Sequence, residues 1–110
     1  MEQALLVITN LADAASARLM ARALVERGLA ACVNMLPAIQ SVYRWRGAVE
    51  EAAEVTLVIK TTGARYAELE QAIKSLHPYE LPEIIAVPVS AGLPAYLDWI
   101  AQETRKEIDV

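Results

Sequence analysis

The chain has 110 residues, 55% of them apolar, and ten basic residues against fourteen acidic ones give a net charge of −4. That length is one ordinary domain, taken as residues 1–110, and the scattered Lys and Arg exclude the clustered basic footprint that nucleic-acid binding requires. A single cysteine, Cys32, excludes an internal disulfide and a multi-cysteine zinc site, and apolar runs such as Ala4 to Ile8 fall far short of a membrane span.

The N-terminus Met1-Glu2-Gln3 lacks the basic and apolar regions of a signal peptide, so a cytoplasmic location is expected. Ala4 to Thr9 is a short apolar run and reads as a buried strand. Asn10 to Asp13 reads as a turn, with Asp13 placed to cap the helix that follows. In that helix Ala17, Met20, Ala21, Leu24 and Val25 recur at helical spacing as the inner face. Gly28 stands where a left-handed residue closes a helix.

Leu29 to Thr62 reads as one long hairpin. Its outgoing arm runs to Trp45 and is broken only by Pro37, which predicts a bulge or bend. Arg46-Gly47-Ala48 is the tip, where Gly47 is free to take positive φ. The return arm, from Val49, carries Val55, Leu57 and Ile59 on one face and Glu54, Thr56, Val58 and Lys60 on the other. A second helix follows, with Tyr66, Leu69, Ile73 and Leu76 inward, and Pro78 ends it. His77 to Pro82 is a loop, and Glu83 to Val89 is a last strand. Ala95 to about Lys106 is a helix, with Tyr96, Trp99 and Ile100 inward.

The order β-α-β-β-α-β plus a terminal helix is the α+β, ferredoxin-like plan, an antiparallel sheet in the order 4-1-3-2 with both crossover helices on one face. At ~3.3 Å per residue each hairpin arm reaches ~45 Å. A domain with a radius of gyration near ~13 Å cannot cover that length. A symmetric homo-oligomer is the economical solution, and the high apolar fraction fits either assembly or an Ala-rich, well-packed monomer.

The topology gathers Thr9-Asn10, the hairpin tip and the end of the second helix at one end of the sheet. Cys32 falls at the other end, so it makes no dyad with His77 and reads as a core residue. His77, Glu80 and Glu83 offer an imidazole and two carboxylates, a first shell for copper, zinc or nickel. They equally fit a helix-capping histidine beside solvated or Arg-paired carboxylates. Tyr43, Trp45 and Tyr79 lie at the same end and fit subunit contacts. No nucleophile–base pair and no Gly-rich phosphate loop is found, so an enzyme is not expected.

Five segments then carry a resemblance along nearly the whole chain: Leu29-Ala30-Ala31-Cys32-Val33-Asn34, Tyr43-Arg44-Trp45-Arg46-Gly47, Ile59-Lys60-Thr61-Thr62, His77-Pro78-Tyr79-Glu80-Leu81-Pro82-Glu83-Ile84 and Tyr96-Leu97-Asp98-Trp99. In this order and spacing they resemble the CutA family of divalent-cation-tolerance proteins. The resemblance implies a ferredoxin-like homotrimer of PII-like form, cytoplasmic and without an established reaction, linked to tolerance of copper and other divalent cations. No cofactor is obligatory; Cu²⁺ or another divalent cation is the implied partner besides the chain's own copies. Members credited with copper binding use a late first-strand cysteine and histidine at the end of the second helix. His77 carries over, whereas Ile8 stands at the cysteine position. The alternative is a PII-like trimeric sensor that binds a small molecule or a protein partner at subunit interfaces.

Overall fold

The computed structural model describes residues 2–106. The chain runs β1 (Ala4–Leu11), α1 (Ala14–Glu26), β2 (Cys32–Trp45), β3 (Ala48–Thr62), α2 (Gly63–Leu76), β4 (Ile85–Pro88) and α3 (Pro94–Glu103). The strands form one antiparallel sheet in the order β2-β3-β1-β4, the ferredoxin-like arrangement read from the sequence.

The centre of the sheet is made by the most apolar strands. Val7 and Leu11 of β1 meet Leu57 and Ile59 of β3, and Ala17, Met20 and Leu24 of α1 close over them with Leu69 and Ile73 of α2. The alternation in β3 holds: Val55, Leu57 and Ile59 are buried under the helices, as a two-residue side-chain period requires. Asp13 caps α1 by accepting the Ser16 backbone N–H at 2.7 Å, a bond that also holds the Asp13 carboxyl below its ordinary pKa.

Several bounds and facings differ from expectation. β1 continues past Thr9 because Asn10 and Leu11 still pair with Thr56 and Val55. β4 is four residues rather than seven, since Glu83 is drawn off to Asn10 and Ile84 turns onto the core. α3 ends at Glu103, not Lys106, where Thr104 Oγ1 donates to the Ile100 carbonyl at 2.7 Å. Val25 and Leu76, expected inward, are exposed because Leu24, Leu69 and Ile73 already fill that space. Tyr96 and Trp99 stack on each other at 5.5 Å and stay largely open to solvent, and Ile100 alone of the three is buried.

The hairpin behaves as the sequence suggests. Its register shifts between Leu36 and Ile39, at Pro37, with Ala38 at φ 60°. Arg46 (φ 50°) and Gly47 (φ 83°) make the tight turn, both in the left-handed region that a two-residue hairpin loop of type I′ needs. Beyond the bulge part of the arm stands open to solvent. Val42 and Val49 are 65% and 69% exposed, and the molecule is 50 Å long with a radius of gyration of 14.8 Å.

Candidate functional site

The end of β1, the hairpin tip and the loop after α2 meet as the topology requires, and Asn10 ties β1 to β3 and to that loop. Its side-chain amide donates to Glu83 Oε1 at 3.2 Å, and its side-chain oxygen accepts from Thr56 Oγ1 at 2.6 Å. Its backbone carbonyl accepts from His77 Nε2 at 2.7 Å. A carbonyl can only accept, so Nε2 carries the proton and Nδ1 is left as an acceptor. Nδ1 receives the Tyr79 backbone N–H at 3.1 Å. His77 is 8% exposed, and its ring lies 4.6 Å from that of Tyr79. The imidazole therefore fastens the post-helix loop to the end of β1.

Tyr79 extends the chain of bonds. Its hydroxyl donates to Glu54 Oε2 at 2.9 Å. Desolvation, and then the Glu54 carboxylate, push the Tyr79 phenol up to about 12, because both oppose a phenolate there. Tyr43 stands across the strand pair from Glu50, and its hydroxyl lies 3.4 Å from Glu50 Oε2. Its phenol is raised as well, first by desolvation and then by Glu50. At the tip, Arg46 Nη2 donates to both oxygens of Glu80, at 2.9 and 2.8 Å, and its guanidinium lies 5.2 Å from the centre of the Trp45 ring.

These groups surround a cleft of about 670 Å³, lined by Glu50, Glu54, Glu80 and Glu83 together with Tyr43, Trp45 and Tyr79. That volume lies within the range of small-molecule sites, roughly 300–1,000 Å³. The residues singled out from sequence thus share one end of the fold. They are not drawn into one ligand set, however. His77 spends both ring nitrogens on backbone groups, Glu80 is paired with Arg46, and Glu83 accepts from Asn10. Among the described residues no three His, Cys, Asp or Glu side chains stand close enough to hold a metal ion.

Asn10 and Glu54 were not legible as site residues. Asn10 reads as a turn former, and Glu54 as one of several polar residues on the open face of β3. A weak signal existed for Glu54: it follows two alanines on an arm that turns back towards Tyr43. Cys32 lies at the far end, paired with Lys60, four rungs from the Asn10–Thr56 pair. Lys60 Nζ is 3.7 Å from Cys32 Sγ and donates to Asn34 Oδ1. Cys32 is only half-buried, not the core residue expected.

The family described as "CutA1 divalent ion tolerance protein" matches residues 5–103. The divalent-cation tolerance protein CutA of Thermus thermophilus is 49% identical over 80% of this chain and 85% of its own length. Protein CutA of Mus musculus is 49% identical over 81% of this chain, but the match spans only 50% of that longer protein. The crystal structure of CutA from Xylella fastidiosa superposes with a TM-score of 0.89 at 44% identity, covering 92% of this chain and 97% of that one. No helix among the described residues is long and apolar enough to cross a membrane.

Proposed function

The chain belongs to the CutA1 divalent ion tolerance family, and from that premise we propose that it acts in divalent-cation tolerance as a cytoplasmic homotrimer, without a reaction of its own. Copper or another divalent cation is held weakly beside the loop that begins at His77, with Glu80 and Glu83 as companion carboxylates. The observation that carries this reading is a placement. His77, Glu80 and Glu83 sit at the end of the sheet where four carboxylates line one cleft, and among the described residues Arg46 is the one cation ion-paired with any of them.

Weak binding follows from the bonds already present. A metal that takes Nδ1 displaces the Tyr79 N–H, and one that takes Nε2 displaces both a proton and the Asn10 carbonyl. Each such hydrogen bond is worth about 1 kcal/mol. One imidazole with two carboxylates suits borderline divalent ions and lacks the thiolate that favours Cu(I).

The trimer rests on the hairpin. Beyond the Pro37 bulge Val42 and Val49 stand largely open to solvent, and Tyr43, Trp45 and Tyr79 are suited to anchor a neighbouring subunit. The cytoplasmic setting agrees with a lone free cysteine. A second reading, a PII-like trimer that takes a small molecule or a partner between subunits, is favoured by the volume of the cleft.

Titration calorimetry with Cu²⁺ and Zn²⁺ tests the first reading. His77→Ala and the pair Glu80→Gln/Glu83→Gln each lower the affinity while sedimentation stays that of the parent. Binding unchanged in both variants removes this site.

A further inference from the structure

The side of the cleft facing the hairpin is not built for a metal. Tyr43, Trp45 and Tyr79 contribute rings to it, and an aromatic face has no lone pair to give a divalent ion. It does present negative potential to a weakly hydrated organic cation. Between the rings stand two carboxylates, each with one oxygen taken by a phenol: Glu50 by Tyr43 and Glu54 by Tyr79.

Glu54 is the telling member. It is 9% exposed, it lines the cleft, and among the described residues Oε2 is its only hydrogen-bonded oxygen. A charged side chain this buried ordinarily finds a cationic partner, yet Glu54 takes part in no ion pair among the described residues. Its other oxygen is left able to accept from an N–H donor that enters the cleft.

The chain displays the same chemistry at the mouth of the cleft. The Arg46 guanidinium lies over the Trp45 ring and bonds both oxygens of Glu80. An aromatic face on one side and a carboxylate on the other is also what Tyr43 and Glu54 offer to the cleft.

We infer that the cleft is a binding site for an organic cation, an ammonium or guanidinium head on a short apolar body, with Glu54 accepting from the head, Tyr43 and Trp45 flanking it, and Leu81 against the body. This names a ligand class for the small-molecule reading of the cleft and rests on that reading, in which the neighbouring subunit closes over the ligand at Tyr43, Trp45 and Tyr79 instead of packing directly on them.

Agmatine, which carries a guanidinium and an amine on a four-carbon chain, serves as probe in thermal-shift and calorimetric titrations of the intact oligomer. MgCl2 at matched ionic strength and citrate are the comparison ligands. Agmatine raises the melting temperature, as any ligand selective for the folded state does, and MgCl2 does not reproduce the shift. Glu54→Gln keeps the acceptor for Tyr79 but loses the charge, and it weakens agmatine about tenfold, the scale of one charged hydrogen bond. Tyr43→Phe keeps the ring and binds like the parent, whereas Tyr43→Ala loses about tenfold, the scale of a partly desolvated cation–π contact. Sedimentation and far-UV spectra verify that each variant remains folded and assembled.

A shift from citrate with none from agmatine overturns the organic-cation assignment and leaves the small-molecule reading standing. No shift from either overturns both. Agmatine binding unchanged in both Glu54→Gln and Tyr43→Ala moves the cation elsewhere and overturns the assignment too.

Discussion

His77→Ala separates a structural histidine from a purely ligating one, and its cost can be worked from the bonds it breaks. The imidazole is 8% exposed and satisfies two backbone groups, the Asn10 carbonyl and the Tyr79 N–H. Alanine leaves both unpaired at the edge of the core. A stranded buried polar group costs about 1–3 kcal/mol, and partial access of water to this edge favours the lower half of that range. The sum is about 2–4 kcal/mol, a large fraction of the roughly 5–15 kcal/mol that holds a small protein folded. Urea denaturation at one fixed protomer concentration measures it, because the proposed assembly would link stability to concentration. The midpoint falls and the slope stays that of the parent. A loss below about 0.5 kcal/mol, the scale of an ordinary surface substitution, refutes the fastening role. If copper affinity falls as well, His77 is a ligand and nothing more.

Three further outcomes follow from single residues. Tyr79 holds its proton more tightly folded than unfolded, so its contribution to stability is complete below pH 10 and is lost as pH rises through about 12. Tyr79→Phe removes this latest step from the ultraviolet titration of the tyrosines; a high-pH step that survives shows that another phenol carries it. Ala38 sits at φ 60°, so Ala38→Gly relieves left-handed strain and gains about 0.5–1 kcal/mol, net of the glycine's extra freedom when unfolded. A loss in thermal or urea unfolding shows that the bulge is not strained. Thr9 is fully buried, and its hydroxyl has no partner among the described residues. Thr9→Val therefore stabilises by about 1 kcal/mol, and a destabilised variant reveals a partner for that hydroxyl.

What the sequence disclosed and what it withheld divide along sequence separation. The pattern of Val55, Leu57 and Ile59, the break at Pro37 and the turn at Arg46-Gly47 are local signals, and sheet order followed from them. The bonds that shape the site are not local. His77 reaches Asn10 across 67 positions, and Tyr79 reaches Glu54 across 25. Nothing in the composition of His77-Pro78-Tyr79-Glu80 distinguishes a histidine awaiting a metal from one already bonded at both nitrogens. Asn10 misled for a related reason: a residue type common in turns here lies inside a strand, its side chain satisfied by Thr56 on β3 and by Glu83 in the loop. Facings failed where the helices meet solvent in one chain. Leu76, Tyr96 and Trp99 keep helical periodicity, but the core is closed before it reaches them. The family was legible for the opposite reason, since its five segments are short and contiguous.

The arm beyond Pro37 is proposed above to pack on copies of the same chain. Sedimentation equilibrium at micromolar protomer concentration tests it most directly. A single species of three times the protomer mass is predicted, and Val42→Asp with Val49→Asp on the arm lowers that mass. A parent chain that sediments as one protomer contradicts the account.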